Sequence, residues 1–442
     1  MTRRVPPRGS GCVLPESADV PDSFRKRVAD SYERFATSGL PENLEEFLLE
    51  EFALDVSTEY AGRPIRNPWG KASGQLSMTS GQVREDVEAG LGFVVLKTVI
   101  AQDEAGEQSM DAWAIREARM QVEKITGKLT GQPGWTVTWK GRGWWQPFED
   151  YLTLIREARE ISSHAAAEGS RDATLIVPSC KYHLPAPGEA EWKTAEYEYS
   201  TQRFLEAWGA SSDEPMPLEK DFSPTLAGSD LAAAREQILN WLHEVPALIR
   251  AGAGAGAGDQ ATSLRVGLKL FNAMFDDAFQ LELLDLIHNG ESERRPDFFI
   301  YGNRLFDPAW EFDGKVGVAY GGPDLSARNL RVMSAFTSKD EPHPRPQPRL
   351  PWSATGDIGT GQMAIEYALR GATSFQLHTF FQLPASEYRM KSGSRTQRAM
   401  HELYFHPDTG FVVWAEHLRQ QSDSPESVAR VADLAVHIGD RL

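Results

Sequence analysis

Short apolar runs alternate along most of the chain with longer windows of helical periodicity. Eight such runs are 67–74, 92–98, 135–139, 173–179, 264–270, 297–301, 351–354 and 373–379. Short runs separated by amphipathic windows are typical of strand–helix units around a buried parallel sheet. Eight of them predict an α/β fold, a (β/α)8 TIM barrel.

Helical periodicity fills the segments between these runs. The predicted helices are 81–89, 148–167, 231–250, 276–288, 325–336 and 362–370. Ahead of the barrel, Asp22 can cap a helix to Ser38, and residues 42–54 repeat apolar side chains at helical spacing. We therefore divide the chain into an N-terminal part, residues 1–54, made of a loose arm (1–21) and two outer helices, and a barrel, residues 55–442.

The spacing of the units is uneven after the fourth run. Residues 181–230 separate that run from the next predicted helix, and they contain five prolines. Long loops in compact domains are often functional lids, and this one leaves from the carboxyl ends of the strands. The sequence predicts that residues 181–230 are a lid insertion that covers a substrate.

Charge and cysteine content narrow the class of partner. The 46 basic and 63 acidic side chains give a net charge of −17, which disfavours nucleic acid and anionic membranes. No apolar run reaches the length of a membrane span or of a secretory signal. Cys12 and Cys180 are the only cysteines, too few for a disulfide framework or a thiolate metal site. We expect a cytoplasmic protein with a small-molecule substrate and no metal.

Polar residues at the predicted strand ends indicate where chemistry could occur. Lys97 and Lys269 lie in otherwise apolar strands, where each needs a bound electron-rich group, contact with solvent or a buried carboxylate. Gly321, Gly322 and Gly356 follow later strands, and a helix is predicted to begin near Thr360. Backbone amides at such turns can bind a phosphate, although ordinary turns would have the same composition.

Three segments together resemble the dihydroorotate dehydrogenases and the flavin domain of dihydropyrimidine dehydrogenase. Residues 65–74 and 89–98 are similar to the family's Asn-Pro, Ala-Ser-Gly and Lys-Thr pattern. Residues 175–180 are similar to its Asn-x-Ser-Cys-Pro strand end. Residues 355–362 and 370–379 are similar to its Thr-Gly-Gly-Ile helix and Gly-Ala strand. The resemblance runs from about residue 55 to residue 384 and implies an FMN-binding barrel.

The resemblance also implies roles for individual residues. Lys97 and Lys269 would hydrogen-bond the flavin. Lys97 would also be a catalytic residue, and Cys180 would be the acid/base. The remaining FMN-binding positions would be Ala72, Ser73, Thr98, Gly321, Gly322, Gly356 and Thr379. A thiol can move the proton that accompanies hydride transfer. The alternative for Cys180 is a small buried apolar residue at a strand end.

Departures from the family pattern argue against a pyrimidine substrate. Val177, Tyr182 and residues 298–300 stand where the family has pyrimidine-binding asparagine positions. A site that loses such hydrogen-bonding partners loses its affinity for amides. Aromatic and basic side chains stand nearby instead: Trp139, Arg142, Lys181, Tyr182 and His183. They would suit a larger, flatter or acidic substrate, although several of the region's tryptophans could equally be core or homodimer-interface residues.

These observations predict an FMN-dependent oxidoreductase that acts on a C–C or C–N bond next to a carbonyl of a non-pyrimidine metabolite. Asp357, which replaces the second glycine of the family's Thr-Gly-Gly, motivates an alternative together with the missing asparagines. In that alternative the barrel has no redox activity and serves as a binding or scaffold protein. A further alternative keeps FMN for non-redox chemistry such as isomerisation.

Overall fold

The structure is a computed structural model. It describes residues 11–114, 120–139, 143–167, 173–186, 188–189, 191–222, 231–254, 263–272, 275–312, 314–338, 348–422, 427–431 and 433–434.

Strands and helices alternate along the described chain. The strands are β1 (Leu54–Asp55), β2 (Thr58–Tyr60), β3 (Arg63–Ile65), β4 (Trp69–Lys71), β5 (Phe93–Val95), β6 (Val99–Ile100), β7 (Met120–Thr126), β8 (Pro133–Trp139), β9 (Leu175–Val177), β10 (Ser179–Lys181), β11 (Met216–Asp221), β12 (Leu264–Phe271), β13 (Phe298–Asn303), β14 (Leu305–Phe312), β15 (Lys315–Tyr320), β16 (Trp352–Thr355), β17 (Ala372–Leu377) and β18 (Ala429–Arg430). The helices are α1 (Asp22–Ser38), α2 (Leu44–Phe52), α3 (Ser80–Glu88), α4 (Phe148–Ala167), α5 (Thr194–Trp208), α6 (Leu231–Gly252), α7 (Asp277–Asn289), α8 (Pro323–Ser338), α9 (Gly361–Ala368), α10 (Arg395–Phe405) and α11 (Phe411–Gln420).

Ten of the strands form one curled parallel sheet. Its order is β6-β10-β11-β12-β13-β16-β17-β4-β5-β9. β5 and β6 belong to one stretch, residues 93–100, and β9 and β10 to another, residues 175–181. Because β5 pairs with β9 and β6 pairs with β10, the two ends of this order meet. The α/β class is confirmed, and the sheet is consistent with the predicted (β/α)8 barrel.

Two sequence predictions about this sheet need correction. Residues 135–139 are not a strand of the main sheet, because β8 pairs antiparallel with β7 in a separate hairpin. A strand that the periodicity missed, β11, pairs with β10 and β12 instead. The lid predicted at 181–230 is not confirmed, because that segment contains an ordinary helix, α5, and a strand of the main sheet, β11. Its residues 223–230 lie outside the described part of the chain.

The N-terminal part is docked on the barrel by polar contacts. α1 begins and ends as the sequence predicts, and α2 spans residues 44–52 of the predicted 42–54. The arm is not loose from residue 11 onward, because the backbone amides of Val13 and Leu14 donate to Glu366. Arg370 donates to the Gly11 carbonyl at 2.6 Å and pairs with Glu366 at 2.9 Å. This buried ion pair joins the arm to α9.

Within the described residues, none of the helices combines the length and apolar composition that a bilayer span requires. The same residues contain no cluster of His, Cys, Asp and Glu side chains suited to a metal ion.

Candidate active site

The two lysines singled out in the sequence both lie buried at the carboxyl ends of their strands. Lys269 in β12 donates through Nζ to Gln376 Oε1 at 3.0 Å, and its Nζ lies 4.0 Å from Glu219 Oε2. Lys97 directly follows β5, and its backbone amide donates to the Ser77 carbonyl. Of the three possible partners for a lysine in an apolar strand, a buried carboxylate is therefore the one found at Lys269, and that carboxylate belongs to Glu219.

A chain of three hydroxyl groups crosses the ends of neighbouring strands. Ser73 Oγ lies 2.8 Å from Thr98 Oγ1, which lies 3.0 Å from Ser179 Oγ. The Thr98 amide also donates to Ser73 Oγ at 2.8 Å. Tyr151 of α4 fixes Ser179, because its hydroxyl donates to the Ser179 carbonyl and accepts from the Ser179 amide. The segments after β4 and β5 and the start of β10 are thus joined by groups that can hold or pass a proton.

Cys180 is fully buried and lies on the opposite face of β10 from Ser179. Its thiol is hydrogen-bonded with Tyr182, whose hydroxyl lies 2.8 Å from Thr201 Oγ1 on α5. Burial raises the pKa of the thiol far above its usual range, although Lys220 opposes the shift. The thiol therefore faces the outer helix, and the geometry does not support the predicted acid/base role. Its placement fits the alternative of a small buried core residue.

Charged side chains from β10 and β11 fill the space next to Lys269. Lys181 pairs with Asp221 at 3.0 Å. Burial alone would raise the pKa of Asp221, but Lys181 and Lys269 outweigh it and hold that pKa below its usual range. Lys220 donates to the carbonyls of Tyr182 and Asp221, and burial, helped by Lys181, lowers its pKa to about 7. Lys181 and Asp221 therefore lie on the same side as Lys269, whereas Lys220 lies with Cys180 on the other face of these strands.

The predicted phosphate-binding residues fall at two neighbouring turns. Gly356 follows β16 with a φ of 106°, a conformation that requires glycine, and Thr379 follows β17. Asp357 is turned toward α8, where Ser326 Oγ donates to its Oδ2 at 2.9 Å. Gly321 lies elsewhere, because its amide donates to Thr136 Oγ1 of β8 at 3.0 Å. Of the predicted set, Gly356 is thus the nearest in sequence to the start of α9.

The β7–β8 hairpin covers the start of α8 beside these turns. Asp324 accepts hydrogen bonds from the backbone amides of residues 128, 129 and 130 at the tip of the hairpin. Gly322 lies beneath it, with the Trp135 carbonyl 3.6 Å from where a Cβ would be. β14 and β15 form a second antiparallel hairpin. Arg304 links it to the β7–β8 hairpin, because Arg304 donates to the carbonyls of Val137 in β8 and Ala319 in β15.

His378 lies directly after β17, within the predicted run 373–379 and next to Thr379. Its ring lies against Gly74, where a Cβ would come within 2.1 Å of Nε2. Gln382 donates to His378 Nδ1 at 2.9 Å. Burial first, and then the nearby charges of Arg304 and Lys97, lower the pKa of His378 well below its usual range. These effects favour the neutral imidazole, which packs between the loops after β4 and β17.

Of the predicted substrate residues whose side chains the structure describes, Tyr182 and His183 contact the segment that follows β10. Tyr182 stacks on Tyr197 of α5 at 4.6 Å between ring centroids, and His183 contacts Glu189 at 3.2 Å. Tyr182 therefore packs against the outer helix α5, unlike Lys181, which pairs with Asp221. The backbone of Trp139 ends β8, and Arg142 lies outside the described residues.

Sequence periodicity missed three functional candidates: Glu219, Asp221 and Gln376. All three are polar residues within strands, and the two acidic ones obscured the apolar pattern of β11. The sequence signal that could have found the acidic residues is the presence of Lys181 and Lys269 in strands. A buried lysine needs a partner of opposite charge.

Several buried polar atoms around the strand ends have no hydrogen-bond partner within the described residues. They are Gln75 Oε1 after β4, Thr138 Oγ1 on β8, Asn272 Oδ1 after β12 and Gln382 Oε1 after β17. Burying such atoms without partners is costly. The lysines and hydroxyls at this end of the sheet are donors that fit the carbonyl oxygens of a flavin.

The comparisons with known proteins support the fold. The chain is similar to the crystal structure of a dihydroorotate dehydrogenase (DHODH) from Eimeria tenella in complex with ferulenol, with a TM-score of 0.52 and 14% identity over 97% of each chain. No family model and no curated protein sequence matches the chain. At this identity the likeness shows a DHODH-like fold over nearly the whole length of both proteins.

Proposed function

We propose that this protein binds FMN at the carboxyl ends of the barrel strands and is a flavin-dependent oxidoreductase. The observation that carries the proposal is the convergence of buried Lys97 and Lys269 on the end of the sheet that also holds the Ser73–Thr98–Ser179 hydroxyls. The likeness of the fold to DHODH supports a flavin rather than another cofactor.

The residues at the site divide into those that would hold the ring and those that would hold the phosphate. Lys97, Lys269, Ala72 and Ser73 would hold the ring system. Thr379, the Gly356 turn and the amino end of α9 would hold the phosphate, because the helix dipole favours an anion at that end of α9. When bound, FMN supplies hydride transfer between its N5 atom and a substrate carbon.

The proton that accompanies hydride transfer would be handled by the chain of hydroxyls, not by Cys180. Ser179 and Thr98 are hydrogen-bonded at 3.0 Å, and half-buried Ser73 continues the chain. We propose that the reacting bond of the substrate is a C–C or C–N bond next to a carbonyl. Lys181 would place a positive charge next to a non-pyrimidine substrate. Its ion pair with Asp221 would orient the Lys181 ammonium group.

The test is the chromophore of the purified protein. We expect a yellow protein with the two absorbance bands of oxidised flavin, release of FMN on denaturation, and rebinding of FMN by the stripped protein. Lys97→Met and Lys269→Met should each weaken FMN binding at least tenfold, because a hydrogen bond to a charged group contributes roughly 1.5–3 kcal/mol. Lys128→Met, at an exposed lysine on the hairpin, is the matched control and should bind FMN normally.

A colourless protein that binds no added FMN would overturn the proposal and favour the scaffold alternative. The bond between the Gly321 amide and Thr136 Oγ1 is the observation that favours that alternative, because it occupies one predicted phosphate donor. If FMN binds, loss of flavin absorbance on adding a substrate in a single turnover would distinguish redox chemistry from isomerisation.

A further inference from the structure

A carboxylate is buried inside the barrel below the strand ends. Glu219 in β11 is fully buried, and the Tyr60 hydroxyl and the Gln376 side-chain amide both donate to its Oε1. Its other oxygen, Oε2, has no hydrogen-bond partner within the described residues and lies 4.0 Å from Lys269 Nζ. An isolated carboxylate is very costly to bury, so Lys269 is the cation that compensates it.

Tyr60 reaches Glu219 from the opposite end of the barrel. It ends strand β2 of the β2–β3 hairpin, and its ring stacks on Phe93 at 4.3 Å and meets Phe298 edge-on at 5.3 Å. Glycine makes room for this aromatic layer, because a Cβ at Gly267 would lie 2.2 Å from the Phe298 ring. The packed rings fix the tyrosine hydroxyl, and the hydroxyl fixes the carboxylate.

Gln376 bridges the carboxylate and the lysine. Its Oε1 accepts from Lys269 Nζ at 3.0 Å, while its Nε2 donates to Glu219 and also lies 3.1 Å from the Tyr60 hydroxyl. Burial raises the pKa of Glu219, and Lys269, Tyr60 and Gln376 oppose that shift. The four side chains form one connected network in which the lysine ammonium is the member at the strand end.

We propose that Glu219 is a positioning residue that sets the orientation and the effective charge of Lys269 toward bound FMN, and so lowers the reduction potential of the flavin. This inference rests on the proposed function. A buried carboxylate beside the lysine offsets part of its positive charge. Since reduction adds negative charge to the flavin, a less positive lysine stabilises the reduced form less.

The experiment measures the reduction potential and the FMN dissociation constant of the holoprotein, with no turnover assay needed. In Glu219→Gln, the shape of the side chain and one acceptor oxygen remain while the charge is removed. We expect the preference for reduced over oxidised FMN to rise at least tenfold, which is about 30 mV for a two-electron couple. Glu196→Gln is the matched control, because Glu196 is also buried but contacts Ser109 from α5.

A second variant covers the case in which Glu219→Gln does not fold. Gln376→Met removes the bridge, so that Lys269 can pair directly with Glu219 and turn from the flavin, and the potential should fall instead of rise. Potentials equal to wild type in the folded variants, with FMN bound, would overturn the role of Glu219 and leave the proposed function standing. A wild-type protein that binds no FMN would overturn both.

Discussion

Lys71, the last residue of β4, holds this strand in place through a buried ion pair. β4 leads directly into Ala72 and Ser73. Its Nζ lies 2.6 Å from Asp86 Oδ1 of α3 and donates to Thr396 Oγ1 of α10 at 3.0 Å. The side chains of Lys71 and Asp86 are only 5% and 1% exposed. In Lys71→Met the carboxylate loses its compensating cation while remaining buried. Breaking one side of such a pair costs about 3–5 kcal/mol of unfolding free energy.

The magnitude can be checked by equilibrium urea unfolding followed through tryptophan fluorescence. Replacing both partners, in Lys71→Met with Asp86→Leu, should restore stability to within about 1 kcal/mol of wild type or better, because no buried charge is left. Lys124→Met is the matched control: its pair with Glu387 is exposed on the lysine side and should contribute at most about 1 kcal/mol.

The pH dependence of Lys71→Met gives an independent check. Burial already raises the pKa of Asp86 in the wild type, and loss of Lys71 removes a group that opposes this shift. A carboxyl whose pKa is higher in the folded than in the unfolded state binds protons preferentially when folded, so the penalty should shrink as the pH falls from neutral toward about 4. A loss below about 1 kcal/mol at pH 7, or a penalty that grows in acid, would refute the reasoning.

Three other perturbations have expected outcomes. Cys180→Ala should cost about 1–2 kcal/mol of stability and leave FMN binding and turnover intact, since the thiol faces α5; loss of turnover in a stable variant would restore the acid/base role. Asp324→Ala should speed proteolysis within residues 120–139, because the hairpin amides lose their acceptor; unchanged cleavage would contradict this. His401, whose pKa is lowered chiefly by burial against Tyr32, should make the protein less stable as the pH falls below about 6.5, and His401→Gln should flatten that slope in thermal unfolding.

Periodicity predicted eight of the eleven helices in the described part of the chain and missed α5, α10 and α11. α1 and α4 have the predicted limits, and α9 is within two residues of them. Periodicity failed at β11, because a barrel interior can hold charges in pairs, and the acidic and basic residues 219–221 then resemble a solvated loop. It failed at β8 for the opposite reason. A hairpin that covers other elements is apolar, so its sequence pattern is the same as that of a strand in a buried sheet.

The candidate site was predictable in its location and less so in the roles of its residues. Lys97, Lys269, Ser73 and Thr98 lie at the strand ends as expected, because residues that follow parallel strands share one edge. Arg142 lies outside the described residues, so its predicted substrate contact stays a prediction.

The difference between Cys180 and Ser179 shows why a motif alone could not assign the proton-handling residue. Consecutive residues of a strand point to opposite faces, so the two side chains of β10 cannot both face the barrel interior. Ser179 lies 3.0 Å from Thr98, and Cys180 is bonded with Tyr182 toward α5. The same alternation in β11 places Glu219 and Asp221 with Lys269 and leaves Lys220 with Cys180. One consistent alternation across two paired strands therefore decides which side chains can meet a ligand.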